Sequence, residues 1–282
     1  MPLLRSLALV IVMCASFTGA AVPAERHGEL IRYGDVQIEV IAEGEGPAIV
    51  LLPSLARDSD DYDEVAEDLA QAGFRVLRPK PRGIGRSTGP MTNITLHDLA
   101  RDIAEVVKKL GNGRAVVVGH AFGNWVARMT AADHPKLVRG VVIAAAAAKQ
   151  FAPELSKAVT DAGNLSLSDD ERLAALRFAF FAPGHDPKVW LTGWHPEIRS
   201  SQRAAVAAVR QDEWWAGGTA PLLDLQAGQD PFKPEAKRNE MKDEFGDRVT
   251  VAVIANASHA LIPEQPKAVV DALATWIKRL PP

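Results

Sequence analysis

Val116-Val117-Val118-Gly119-His120-Ala121-Phe122-Gly123-Asn124 decides how this chain folds. Three consecutive valines read as a buried strand, and the residues from Phe122 onward open a helix that ends at His134-Pro135, because proline cannot donate into a helical ladder. Gly119 and Gly123 bracket the junction, where a side chain would run into the neighbouring strand and helix. The spacing is that of a sharp strand–turn–helix elbow, G-x-S-x-G, which lifts a reactive side chain to the top of a sheet. Its central residue here is Ala121, a methyl group where a nucleophile would stand.

Outward from the elbow, strands and helices alternate. Residues 36–42 alternate apolar and polar, as a half-buried antiparallel strand does, whereas residues 48–52 are apolar throughout, as in a buried parallel strand. Residues 61–72 read as a helix and Phe74 to Leu77 as a strand. Leu96 to Leu110 carries an apolar stripe at helical spacing and stops at Gly111. After the elbow come a strand at Leu137 to Ala145, strands at Leu222 to Gln226 and Val249 to Ile254, a helix over Glu235 to Phe245, and a closing helix from Pro266 to Leu280. The regular alternation breaks only over the helix-rich residues 148–220. The pattern predicts an α/β fold with a mostly parallel sheet covered on both faces.

Two residues far from the elbow complete a chemical constellation. Asp230 follows a strand in Ala-Gly-Gln-Asp-Pro-Phe, and His259 follows a strand in Asn-Ala-Ser-His-Ala-Leu-Ile-Pro. The elbow, the acid and the histidine, in that order, resemble the α/β-hydrolase superfamily over essentially the whole of residues 25–282. The resemblance implies an eight-stranded, mostly parallel sheet flanked by helices, with the core at 25–147 and 221–282 and a helical cap at 148–220. It implies that His259 acts as a base and that Asp230 orients it. It assigns the oxyanion hole to the backbone N–H groups of Phe122 and Leu55, with Pro53-Ser54 in place of the family's His-Gly. The turn Arg82-Gly83-Ile84-Gly85-Arg86-Ser87 matches a further family landmark, with Lys80 where an acid is usual, and reads as structural. Aromatic residues crowd the cap, so the substrate pocket is expected to draw on Ser54, His120, Phe181, Trp190, Trp194 and Trp214. The same aromatics serve equally well as the cap's own core.

Ala121 leaves three readings open. The alanine is an introduced Ser-to-Ala change that inactivates a serine hydrolase so as to trap its substrate. Alternatively, the Asp230–His259 dyad works without a covalent intermediate, activating water or acting as the base of a cofactor-free lyase or isomerase. As the third reading, the chain is a non-catalytic ligand-binding protein. The first leaves only roughly 10³–10⁴-fold acceleration over water, from oxyanion stabilisation and binding. A dyad enzyme would therefore need an easier substrate, an activated ester, a lactone or an acidic C–H, within an expected class of small apolar ester-, lactone- or amide-like molecules.

Composition narrows the classes further. The formal net charge is -3 and no basic block occurs, so nucleic-acid binding has no electrostatic support. No spacing suggests a metal or a nucleotide cofactor, and a small molecule is the expected partner. Residues 1–24 combine Arg5, a short apolar run and Val22-Pro23-Ala24, which reads as a cleavable signal peptide and points to a secreted or periplasmic protein, without stable membrane insertion once cleaved. The single cysteine, Cys14, falls within it. A monomer or weak oligomer is expected.

Overall fold

The computed structural model describes residues 26–281, so the signal-peptide reading of residues 1–24 lies outside the described residues. The elements run β1 (Arg26–Tyr33), β2 (Val36–Glu43), β3 (Ala48–Leu52), α1 (Asp63–Gln71), β4 (Arg75–Pro79), α2 (Leu96–Leu110), β5 (Ala115–His120), α3 (Phe122–Asp133) and β6 (Val138–Ala144). They continue with α4 (Pro153–Ala162), α5 (Asp169–Ala179), α6 (Pro196–Ala207), α7 (Gln211–Trp214), β7 (Leu222–Ala227), α8 (Glu240–Phe245), β8 (Val249–Ile254), α9 (Leu261–Glu264) and α10 (Pro266–Ile277).

The eight strands form one sheet in the order β1-β2-β4-β3-β5-β6-β7-β8. The β1–β2 and β2–β4 pairs are antiparallel and every other pair is parallel. Alternation along β3 shows how both faces are filled. Ala48, Val50 and Leu52 pack in one core with Ile103 and Val107 of α2 and Val126 of α3, while Ile49 and Leu51 pack in the other with Leu69 of α1 and Leu273 of α10. A strand buried on both sides has no reason to alternate in polarity, which is why β3 is apolar throughout and β5 is apolar up to His120.

Sheet order places the site. The chain leaves β3 towards β4 on one side and then crosses to β5 on the other, so β3 and β5 are neighbours running in parallel at the point where the winding reverses. Above such a switch point the loops leaving the strands diverge and open a crevice at the carboxyl ends. The loop after β3 carries Ser54 and Leu55, and the turn after β5 carries Ala121. Helices α4 to α7, between β6 and β7, include a third apolar cluster built around Leu176, Phe180, Phe181, Trp190 and Trp194.

Two elements differ from expectation. Strand β1 is an edge strand with only Ile31 buried, so it lacks the apolar signature that marks a strand in sequence. The helix expected over Glu235 to Phe245 is divided: a 3₁₀ turn covers Glu235–Lys237, and α8 starts at Glu240. The break frees Arg238 for tertiary work. Its guanidinium donates to the Gly228 carbonyl at 2.8 Å, and its own carbonyl accepts from the Gln226 side chain at 2.7 Å.

Candidate active site

The elbow is as tight as its glycines require. A Cβ on Gly119 would stand 2.2 Å from the Gly123 carbonyl carbon, and one on Gly123 would stand 2.5 Å from the Leu52 carbonyl oxygen. Ala121, between them, takes φ 46° and ψ -110°, a left-handed conformation that a residue with a Cβ adopts only when its surroundings impose it. Its N–H donates to the Ala144 carbonyl at 3.0 Å and its carbonyl accepts from the Asn124 backbone at 3.1 Å. The Asn124 amide also donates to that carbonyl, which fixes the amide's orientation and leaves its Oδ1 buried without a partner. Ala121 is also the N-cap of α3, so the partial positive charge of a 12-residue helix is directed at this corner.

The acid and the imidazole meet. His259 Nδ1 donates to Asp230 Oδ2 at 3.0 Å, with both residues buried. The other carboxylate oxygen, Oδ1, accepts from the Phe232 backbone N–H at 2.9 Å, so both oxygens of Asp230 are occupied and its orientation is fixed. The proton on Nδ1 leaves Nε2 as the basic nitrogen. Phe232 lies against the imidazole, ring centroids 4.2 Å apart.

The histidine's loop is held by residues that no motif identifies. His120 Nε2 donates to the His259 carbonyl at 2.7 Å, joining the end of β5 to that loop. Ala260 N–H donates to the Phe180 carbonyl at 2.8 Å. The Glu264 carboxylate accepts from Ser258 N–H and from Ala182 N–H, both at 2.6 Å, and burial raises its affinity for a proton.

A cavity opens above this corner, with about 730 Å³ of empty space when the solvent at its mouth is included. Ser54, Leu55, Ala121, Phe122, Asn124, Trp125 and His259 line it from the core; Phe151, Ser156, Val159, Phe180 and Arg203 line it from the helices between β6 and β7; Ala147 and Phe232 complete the wall. Neither Leu55 N–H nor Phe122 N–H has a hydrogen-bond partner among the described residues. A second cavity shares Phe122 but lies beside Arg82 and Asp102 and lacks the dyad. Arg82 forms a two-point ion pair with Asp102 there, the structural duty expected of its turn.

Five of the six residues expected in the pocket lie elsewhere. His120 is buried beneath the floor in the bond just described. Phe181, Trp190 and Trp194 form a core with α4 and α5, where the two indoles meet edge to face, centroids 6.0 Å apart, and the Arg57 guanidinium lies over both rings, 4.6 and 4.9 Å from their centroids. Arg57 is neutralised by Asp61 and donates to the Thr192 carbonyl at 2.6 Å. Trp214 packs behind Trp125, ring centroids 5.6 Å apart, and backs the wall without reaching the cavity. Ser54 is the expected residue that does line it. Phe180, one of the aromatics crowding residues 148–220, lines it too, while Trp125, Phe151 and Phe232 are lining aromatics that the sequence left unassigned. Trp125 and Phe232 carried a usable signal, since each lies within four residues of an elbow or acid position.

A model of the alpha/beta hydrolase fold matches residues 47–182. RutD of Variovorax paradoxus (strain S110), named as a carbamate hydrolase, is 30% identical over 235 residues, 79% of this chain and 88% of that protein. The chain belongs to the α/β-hydrolase fold family. Against several other curated relatives it spans less than half of their length; the bifunctional epoxide hydrolase 2 of Sus scrofa is 32% identical over 117 residues, 41% of this chain and 21% of that protein. Among solved structures, an esterase from Exiguobacterium antarcticum superposes with a TM-score of 0.74 at 19% identity, covering 89% of this chain and all of that one. Among the described residues no helix is long and apolar enough to cross a membrane, and no cluster of three or more metal-ligating side chains occurs.

The His120 imidazole provides a pH test of this α/β-hydrolase core. Burial, then the neighbouring His259, holds it down to about 3 from its ordinary 6.5. In the unfolded chain it takes up a proton near 6.5, so its contribution to stability is complete above that pH and is lost as the pH falls towards 3. The loss between pH 6.5 and pH 5 is about 2 kcal/mol. Urea unfolding at the two pH values is expected to show that slope in the parent and a reduced one in His120→Asn.

Proposed function

We propose that this protein hydrolyses a small, apolar ester-, lactone- or amide-like molecule with a His–Asp dyad and no covalent intermediate. The observation that carries the reading is the 3.0 Å bond from His259 Nδ1 to Asp230 in the wall of a cavity floored by Ala121. A pure binding site has no physical need for an imidazole whose basic nitrogen is freed by a carboxylate behind it. In this scheme water occupies the space a serine hydroxyl would take. Its oxygen bonds to the carbonyl carbon as His259 Nε2 takes its proton, and the carbonyl oxygen becomes an oxyanion facing Leu55 N–H and Phe122 N–H. The carbon–heteroatom bond to the leaving group then breaks, and His259 returns the proton to that group. Family membership and an esterase among the fold relatives support hydrolysis as the reaction class.

Stopped-flow assays with p-nitrophenyl esters, together with intact-mass analysis, test the scheme. The parent is expected to turn over linearly, with no burst and no adduct. Ala121→Ser is expected to hydrolyse the same esters about 10²-fold faster, with an acyl adduct on the protein. A silent parent beside an active serine variant would mean that the chain is a hydrolase without its nucleophile. Ligand binding with no turnover in either protein would instead favour a binding protein.

A further inference from the structure

The polar groups of the cavity are unevenly signed. Apart from His259, its one ionisable lining residue among those described is Arg203, on α6; no carboxylate lines it. Arg203 is exposed, so it stands where the cavity meets solvent. Its place there is fixed by the preceding residue, since Gln202 is buried and its side-chain oxygen accepts from Ala56 N–H at 2.8 Å, one residue past Leu55.

No carboxylate among the described residues pairs with Arg203. One turn earlier on the same helix, Arg199 donates to Thr160 Oγ1 of α4 at 2.7 Å and likewise has no acid partner. Burial, then the charge of Arg203, lowers the Arg199 guanidinium's affinity for its proton. Asp161, whose charge reaches Arg199, is itself paired with Lys157. The two neighbouring guanidinium groups repel each other, and in a chain whose formal charge is -3 an unpaired Arg203 in the cavity lining is the local exception. Ser156, across the mouth on α4, adds a hydroxyl to the same rim. Below the rim the wall is apolar and aromatic, with Trp125, Val159 and Phe180. Such a site holds an apolar body between a cation at one end and a polar reaction corner at the other.

We infer that the substrate carries a carboxylate at the end remote from its scissile carbonyl, and that Arg203 binds it at the mouth of the cavity. A planar guanidinium accepts a carboxylate through two parallel hydrogen bonds, which fixes direction as well as charge. The inference rests on reading this cavity as the substrate site, and it makes Arg203 a specificity residue for the proposed hydrolysis.

Isothermal titration with 4-phenylbutyrate and its neutral amide tests it in the parent, Arg203→Gln and Arg203→Lys. In the parent the anion is expected to bind at least about tenfold tighter than the amide, with the difference shrinking as salt is raised. In Arg203→Gln the ratio is expected to fall to about one, and in Arg203→Lys to an intermediate value. Equal affinities in the parent, binding of neither compound, or an anion preference that survives in Arg203→Gln would overturn the inference. Because no turnover is read, the outcomes separate. Anion preference without ester hydrolysis sinks only the hydrolase reading, and hydrolysis of neutral esters without anion preference sinks only the carboxylate.

Discussion

Gly119→Ala is expected to destabilise the protein by at least about 3 kcal/mol and to leave little folded material at 37 °C. Overpacking a core usually costs about 1–3 kcal/mol, because side chains can rotate away from the added atoms. Here the added methyl meets backbone: the Gly123 carbonyl carbon and oxygen, both at 2.2 Å, and the Asn124 nitrogen at 2.4 Å. Relief would need α3 to move off the sheet, and α3 buries Phe122, Val126, Ala127 and Met129 against it. With native stability of typically about 5–15 kcal/mol, a loss of this size is a large fraction of the whole. Urea unfolding followed by circular dichroism reads it. Gly34→Ala is the control for an added Cβ without a clash: a Cβ there meets nothing within 4 Å, so only the strain of its positive φ remains. Equal losses for the two variants would show that the elbow is not close-packed.

The elbow and the dyad were legible because each is a local constraint with a fixed chemical cause. Gly119 and Gly123 are required by contacts under 3 Å, and Asp230 and His259 each follow a strand whose apolar run is plain in the sequence. The pocket wall was not legible. Nothing in a tryptophan reveals whether it faces a cavity or a core, and Trp190 and Trp194 pack against each other beneath Arg57, which lies more than 130 residues earlier in the chain. A hint was present in the four-residue spacing of Arg57 and Asp61, which neutralises a cation that can then be buried. Arg203 was likewise invisible as a lining residue, since an arginine on an amphipathic helix reads as solvated surface until the cavity between that helix and the elbow is seen. Strand β1 escaped because an edge strand with one buried residue has no apolar signature.

The central claim is that an imidazole held by a carboxylate activates water above Ala121. Its largest consequence falls on His259 itself. General-base catalysis contributes about 10²–10⁴-fold, and with Ala121 in place of a serine at the elbow the activated nucleophile of this scheme is water. Asp230→Asn is expected to act in the same direction, by permitting the wrong tautomer at Nδ1 and leaving the oxygen that faces Phe232 N–H in place. The most direct measurement is kcat/KM for one p-nitrophenyl ester in the parent and in His259→Ala, with folding of both checked by circular dichroism. The account predicts a fall of about 10²–10⁴-fold, to the rate of the oxyanion corner alone. A folded His259→Ala protein that hydrolyses the ester as fast as the parent would contradict it.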